Sequence, residues 1–329
     1  MLKIQAKKVL DKFQKLKTSL KKSDFYFRIR DNIFLKEMKK EKKIEKNRGL
    51  NGMIEYTNKW YKEQTGKILQ LNNPQSLTEK QQWIKFYDQD PLKVICTDKY
   101  LVREYISKKI GSQYLVPLIK INGKDAFFDA NEIDFNLLPN QFVISCNHGS
   151  SMTIVVSDKS KLSKHKIKGI KKKLNRWLKI EPAYIAAYDF VYKGIKPCIM
   201  ITKFLENPDK SEINDYKFIA FNGEVKYMWI DSDRFHGHKR SVFNLDLTRA
   251  PFNINKYEPV SDSAIPSNYK EMLQLANILA KDFMFVRVDF YNINNVIYFG
   301  ELTFNSGGGV ELPYPEEYDL TVGNELLIK

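Results

Sequence analysis

Cysteine is scarce: three residues in 329, at positions 96, 146 and 198. They lie far apart with no paired spacing, which excludes a zinc site or a disulfide framework, suits a reducing compartment and leaves them as core residues. The four histidines show no ligand spacing either; His236 and His238 stand two apart, as in a turn. No apolar run reaches the roughly 18 residues of a membrane span. The lysine-rich start lacks the apolar h-region of a secretory signal, so the cytoplasm is the expected compartment. Helix-turn-helix, RNP and zinc-finger patterns are all missing, and basicity without them does not point to a nucleic-acid partner. No Ser-His-Asp or Cys-His arrangement offers a nucleophile. No Asp-x-Asp motif follows a strand, which counts against a metal-dependent glycosyltransferase. There is no internal repeat.

What is present is enough for one large core or two moderate ones: 43% apolar residues, with 21 Phe, 18 Tyr and 4 Trp. The net charge of +15 is uneven, since residues 1–50 hold 17 Lys and Arg against 6 Asp and Glu. Val9, Phe13, Leu16 and Leu20 recur there at helical spacing among lysines. Such a helix suits an anionic membrane surface or an acidic polymer, and equally a solvated helix packed on its own domain. A second basic block, "KSKLSKHKIKGIKKKLNRWLK", occupies 159–179.

Residues 1–70 read as a basic helical segment. Pro74 ends it, and Ser76 or Thr78 with Glu79 opens another helix. Val94–Cys96 reads as a short strand, Thr97 or Asp98 to Ile110 as a helix closed by Gly111, and "YLVPLIKI" (114–121) as a strand. "NQFVISCNHGSSMTIVVSD" gives a hairpin around a small-residue loop. "KPCIMITKFLE" is a strand running into a linker, and Asn222–Gly223 in "DYKFIAFNGEVKYMWID" is a strong hairpin turn. Residues 269–283 form an amphipathic helix. Antiparallel hairpins with interspersed helices make the chain α+β, organised as 1–70, 71–140, 141–206 and 207–329.

The densest stretch is "FVRVDFYNINNVIYFGELTFNSGGG" (285–309). Alternate strand residues share a face, so Arg287 and Asp289 point one way and Val286, Val288 and Phe290 toward a core. Glu301, Thr303 and Asn305 share a face of the return strand. An odd-length loop around Asn294–Asn295 sets Asp289 opposite Glu301, with Cβ atoms about 5 Å apart. Two bare carboxylates there repel by roughly 3 kcal/mol at an effective dielectric near 20, a cost that a hard cation between them removes. An edge hairpin with its charged face in water explains the acids equally well on this stretch alone. The "NSGGG" that follows weighs against that, because glycines let backbone approach a ligand closely.

An Arg-x-Asp strand followed by Glu on the next strand resembles the ATP-grasp superfamily. "NPQSLTEKQQW", "DKYLVREYI", "FVISCNHGSS", "DYKFIAFNGE" and "FVRVDFYNINNVIYFGELTF" appear in the order of its teichuronopeptide-biosynthesis (TupA-like) branch, found among polysaccharide and capsule proteins. The resemblance covers about 72–329. It implies ATP held between two α+β subdomains, with Mg²⁺ on Asp289, Glu301 and, as third ligand, Asn305 or a hydroxyl. Arg287 and Lys217 are then directed at the transferring phosphoryl group, and Thr202, Lys203, Phe204 and Leu205 contact adenine. Asn147, His148, Gly149, Ser150 and Ser151 cover the phosphates, with Lys99 and Arg103 near the nucleotide. Three departures stand out. Ser145 replaces a lysine, with lysines of 159–179 as candidate substitutes; Thr202 replaces an acid; and Glu-x-Asn reads Glu301-Leu302-Thr303.

The function implied is an ATP-dependent carboxylate–amine ligase acting through an acyl phosphate on a uronic-acid-containing glycan or other acidic precursor. An amine donor would be the second substrate. Arg234, His236 and His238 are candidates for an acidic-substrate pocket, and the basic N-terminus for contact with an anionic membrane or lipid-linked glycan at its inner face. The rival readings are a sugar or glycan kinase on the same fold, a degenerate domain that only binds nucleotide or glycan, and a sugar-nucleotide-dependent glycosyltransferase.

Overall fold

Helix α1 (Asp24–Thr65) opens the computed structural model, which describes residues 24–328 apart from 235 and 236. The stripe of Val9, Phe13, Leu16 and Leu20 lies outside the described residues, as does His236. Gly49 (φ 53°, ψ −150°) breaks α1 into two helical pieces, a conformation open to a residue without Cβ. Helix α2 (Leu77–Tyr87) starts on a capping box: Ser76 Oγ accepts the Glu79 N–H at 3.3 Å, and Glu79 Oε2 accepts that of Ser76 at 3.1 Å.

Two expectations fail just after it. Residues 94–96 are not a strand but part of helix α3 (Pro91–Thr97). Asp90 accepts the Leu92 N–H at 2.8 Å as N-cap and Pro91 fills the first helical position, signals that override three β-prone residues. The next helix, α4 (Val102–Lys109), begins later than expected, though Asp98 still accepts the N–H groups of Tyr100 and Leu101. Tyr114 ends a 3-10 turn (Ser112–Tyr114), and residues 115–121 form no strand, joining the sheets through the isolated bridges Leu115–Phe299 and Leu118–Thr202. Pro117, in their middle, has no N–H for a ladder.

A four-stranded antiparallel sheet comprises β1 (Ala126–Phe127), β2 (Phe142–Cys146), β3 (Thr153–Val156) and β4 (Ile199–Lys203), in the order β1-β4-β2-β3. Its period of two is strict: Phe142, Ile144, Cys146, Ile199 and Ile201 are buried on one face. Helix α5 (Lys164–Trp177) covers that face with Leu174 and Trp177. Val143, Ser145, Met200 and Thr202 point the other way.

The larger sheet is built from β5 (Asp215–Phe221), β6 (Glu224–Ser232) and β7 (Lys239–Phe243), then, after the short β8 (Asn253–Ile254) and helix α6 (Tyr269–Ala280), from β9 (Phe285–Ile293) and β10 (Val296–Thr303). Its antiparallel order is β10-β9-β5-β6-β7. Val286, Val288, Phe290, Phe218 and Met228 pack on α6; the opposite face is apolar at one end, where Ile219, Phe221, Trp229 and Phe285 pack with Leu77 and Ile84 of α2, and charged at the other. β11 (Pro313–Tyr314) pairs with β8, and α7 (Tyr318–Glu325) docks on α2, where Asp319 accepts both the N–H and the hydroxyl of Thr78.

The β9–β10 hairpin reaches the expected register by another route. Its turn has two residues, Asn294 (φ 50°) and Asn295 (φ 65°), and closes Val296 onto Ile293. That even loop alone would set Gly300 against Asp289. A bulge between Phe299 and Glu301 takes up one residue, so that Glu301 faces Asp289 and Thr303 faces Arg287. Gly300 is where the strands come closest: a Cβ there would lie 3.0 Å from the Asp289 carbonyl.

Candidate active site

The near faces of the two sheets enclose a cleft with an outer lobe of about 540 Å³ and an inner lobe of about 490 Å³. Lys99, Arg234 and Glu301 border both. Val143, Val155, Met200, Leu115 and Phe299 give the outer lobe apolar walls. Thr202, Lys203, Phe204 and Leu205 line it where β4 runs out, and Arg103, Lys99 and Ser145 line it as well. An apolar slot with a few polar groups at one end suits a flat heterocycle with a charged tail. No residue of 159–179 lines either lobe, so those lysines do not replace the one missing at Ser145.

In the inner lobe a row of charges crosses the large sheet. Asp289 pairs in register with Glu301 on one side and Lys217 on the other; Asp231, opposite Asp215 in the β5–β6 pairing, faces Arg240 across β6–β7. The two acids of the hairpin are bridged. Arg287 donates to both Asp289 oxygens at 2.7 Å, lies 3.4 Å from Glu301, and also donates to Thr303 (3.0 Å) and Ser306. Asp289 consequently sits behind Arg287, buried, while Glu301 keeps 40% of its side chain exposed. Lys217 Nζ lies 2.8 Å from Asp231 and 3.9 Å from Asp289.

The titration of the row follows from this packing. Burial pushes the Asp289 carboxyl above its ordinary range against the pull of Arg287 and Lys217. Burial also works to raise Glu301, but Lys99 (3.7 Å), Arg287 and Lys217 together hold it below the ordinary value. Asp231, buried yet held by Arg240 and Lys217, is strongly depressed. Burial opposes the charge on Arg287, and Asp289 foremost raises its pKa nonetheless.

Asn305 is buried, donates Nδ2–H to Asp189 at 2.7 Å, and leaves its Oδ1 without a hydrogen-bond partner. A buried orphan acceptor on the wall of a polar lobe is what a cation ligand looks like before the cation. Glu301 and Asn305 line the lobe, while both oxygens of Asp289, in register with Glu301, are held by Arg287; carboxylate and amide oxygens are the donor type a hard divalent ion takes. Among the described residues no group of three or more His, Cys, Asp or Glu gathers to hold a metal, in this lobe or outside it.

The small-residue loop divides. Gly149, Ser150 and Ser151 line the inner lobe, and Lys99 Nζ donates to the Gly149 carbonyl at 3.1 Å. Asn147 and His148 do not face it. Asn147 bonds Asp98, the Lys196 carbonyl and the Cys198 N–H. His148 Nε2 meets the carbonyls of Trp177 and Ile180, and burial lowers its pKa. Both side chains therefore anchor the loop from behind, His148 on the end of α5 and Asn147 on Asp98 and the 196–198 segment.

Of the candidate substrate-pocket residues, Arg234 pairs with Asp215 at 2.6 Å, and His238 with Asp231 at 2.9 Å; both border the inner lobe. Sequence reasoning missed Asp231, Arg240, Asp189 and Glu311. Asp231 alternates with Trp229 on a strand already recognised, a signal that could have found it. Asp189 and Glu311 sit in irregular segments whose placement depends on contacts distant in sequence. The described inner-lobe lining carries six Lys or Arg against four Asp or Glu, a balance that favours anionic ligands.

The sequence pattern of TupA-like ATP-grasp proteins matches residues 79–327, well over half of the chain. The chain belongs to the TupA-like ATP-grasp family. Solved structures to which the chain is similar include the D-alanine–D-alanine ligases of Bacillus anthracis (15% identity, 70% of this chain and 68% of that one, TM-score 0.38) and Helicobacter pylori (15%, 77% and 69%, 0.39). The D-cycloserine synthetase DcsG is another (12%, 72% of each chain, 0.37). No curated protein sequence matches the chain. This TupA-like protein thus has the ATP-grasp fold and is an ATP-dependent enzyme of the carboxylate–amine ligase class. Among its described residues no helix is long and apolar enough to cross a membrane.

Proposed function

We propose that this TupA-like enzyme joins an amine to a carboxylate of an anionic glycan or other acidic precursor of surface polysaccharide, forming an amide with release of ADP and phosphate. The observation that carries the site assignment is the register that puts Glu301 against Asp289, with Lys217 and Arg287 beside them at the inner end of an apolar slot. The outer lobe would take adenine against Thr202–Leu205, with Lys99 and Arg103 toward the phosphates. Asp289, Glu301 and Asn305 would hold Mg²⁺, which when bound supplies positive charge to the phosphate oxygens. The substrate carboxylate oxygen attacks the terminal phosphorus and the bond to ADP breaks; the amine nitrogen then attacks the acyl carbon, phosphate leaves, and the nitrogen loses a proton. Lys217 and Arg287 face the charge that develops on the transferring group, and Gly149–Ser151 exclude water above it. No side-chain nucleophile is needed.

The partner reading rests on charge. Residues 159–179 carry nine Lys and one Arg with no acid, and Lys164, Lys168, Lys171, Lys172 and Arg176 line a groove on α5. Helix α1 begins beside it, Phe27 meeting Trp177 edge-on at 6.4 Å. The 23 residues before α1 carry eight Lys and one Asp in sequence. The basic groove on α5 suits an anionic membrane or a lipid-linked glycan.

The test is ADP release in the presence of an acidic glycan acceptor and an amine. Asp289→Ala/Glu301→Ala should abolish Mg²⁺-dependent release, and the wild-type product should be an amide by mass. Full turnover in the double variant would refute the site assignment, and a phosphorylated glycan as product would make the enzyme a kinase.

A further inference from the structure

Helix α1 lies outside the span that matches the family, 79–327, yet it lines the cleft near its start and grips a turn behind the cleft wall further along. Near its start, Arg30 lines the inner lobe and donates to the Ser151 carbonyl of the covering loop at 3.3 Å. Further along, Glu41 is buried completely. One of its oxygens accepts the Ala187 N–H and the other the Tyr188 N–H, each at 3.2 Å, and the Tyr188 hydroxyl donates back to the Glu41 carbonyl at 3.1 Å.

The turn so gripped is a strained one. Ala187 (φ 52°) and Tyr188 (φ 63°) are successive left-handed residues, neither a glycine, a conformation that persists only where surrounding contacts enforce it. Lys85, on α2, adds a bond to the Ala186 carbonyl at 2.9 Å and reaches the Gly308 carbonyl at 3.2 Å. The residue after the turn is Asp189, whose Oδ1 accepts from Asn305 Nδ2. Because that bond consumes an amide hydrogen, it fixes which way the Asn305 amide faces, leaving Oδ1 turned away from Asp189 and unpartnered.

We infer that Glu41 is a positioning residue of the active site: by holding the 187–188 turn it fixes Asp189, which aims the Asn305 oxygen at the bound cation. The inference rests on the reading of Asn305 as a ligand. It makes α1 part of the catalytic apparatus, coupled to the metal site through four residues without touching metal or nucleotide. Glu41→Gln keeps the shape, but a carboxamide has one acceptor oxygen for two amide donors. One of the two N–H groups is then stranded and the turn loses its reason to stay left-handed.

The experiment uses the full chain with ADP and Mn²⁺ as the probe, free and bound Mn²⁺ being counted by electron paramagnetic resonance. Hydrogen exchange at the 187 and 188 amides is read in parallel. Asn305→Ala and Glu41→Gln should each weaken Mn²⁺ binding by about 10-fold, the scale of outer-shell metal effects. The double variant should be no weaker than Asn305→Ala alone. Exchange at 187 and 188 should speed up in Glu41→Gln, while Glu37→Gln on the same helix, bonded only to Lys40 and Tyr56, should change neither readout. Should Glu41→Gln not fold, Asp189→Asn decides, since its own amide lets Asn305 flip, and the same loss is expected. Wild-type Mn²⁺ affinity in Glu41→Gln and Asp189→Asn beside a weakened Asn305→Ala would overturn the relay and leave the site intact. Unchanged affinity in Asn305→Ala, with binding lost in Asp289→Ala/Glu301→Ala, would remove Asn305 as ligand and the relay with it. Retained binding in that last variant would overturn the metal site itself.

Discussion

Arg287→Met isolates what the guanidinium does among the acids. In the structure Arg287 donates twice to Asp289 at 2.7 Å, both buried, and lies 3.4 Å from the half-exposed Glu301. Methionine keeps the length of the chain and removes the charge. Breaking a buried ion pair from one side costs about 3–5 kcal/mol. The two carboxylates left in register, about 5 Å apart at Cβ, add repulsion of roughly 3 kcal/mol before relaxation. Lys217 at 3.9 Å and Lys99 at 3.7 Å offset part of that, so a net loss of about 3–5 kcal/mol is expected in EDTA. Mg²⁺ should then restore stability more in the variant than in the wild type, because in the wild type the ion must first displace Arg287 from Asp289. At 100 times the dissociation constant the recovery is about 2.7 kcal/mol. Urea unfolding of both proteins, with EDTA and with saturating Mg²⁺ and ADP, measures it. If Mg²⁺ stabilises Arg287→Met no more than wild type, the acids and the metal do not compete for the arginine's place and the reasoning fails.

Asp231→Asn leaves Lys217 and Arg240 without their buried counter-ion and should cost about 3–5 kcal/mol at pH 7 by urea unfolding. Because the folded carboxyl is depressed, its contribution is present above the ordinary value of 3.8 and is lost as pH falls below it, so the wild-type advantage over Asp231→Asn should shrink toward acid pH; an advantage independent of pH contradicts this. Reversing four α5 charges (Lys164, Lys168, Lys171 and Lys172 to Glu) should abolish co-sedimentation with anionic vesicles while ADP release on a soluble acceptor persists. Equal sedimentation with zwitterionic vesicles would discard the electrostatic surface.

Much of the site was legible because it rides on regular strands. Alternation alone puts Arg287 and Asp289 on one face and Val286, Val288 and Phe290 on the other, and Asn222–Gly223 and Asn294–Asn295 mark their turns. The register of Glu301 on Asp289 was right for a wrong reason: a lone glycine at 300 supplies the extra residue that the loop does not. Residues 94–96 went wrong because β-branched neighbours outweighed a cap that was plainly written as Asp90–Pro91. His148 and Asn147 sit in the recognised loop yet face backward, since nothing local reveals that the end of α5 waits for one and Asp98 with the 196–198 segment for the other. The Glu41–Asp189–Asn305 connection spans 264 positions of sequence and passes through two left-handed non-glycine residues, features that only tertiary contacts impose.

The same geometry explains how a cluster so rich in buried acids can exist before any ligand arrives. Burial disfavours the charge on Asp289, and a protonated carboxyl is a poor ligand for a hard cation. Arg287 opposes this by occupying both of its oxygens, while Lys99, Arg287 and Lys217 keep Glu301 ionised at the mouth of the lobe. The arginine then has somewhere to go: Ser306 and Thr303 already accept from it, and a phosphoryl group entering the lobe offers a fork of oxygens beside them. Release of Asp289 to a cation and capture of a phosphate by Arg287 become one rearrangement, each half removing the cost that the other would carry alone. Neither nucleotide without metal nor metal without nucleotide should therefore bind as tightly as the two together, and calorimetry of Mg²⁺ with and without ADP should show that cooperativity in the wild type and lose it in Arg287→Met.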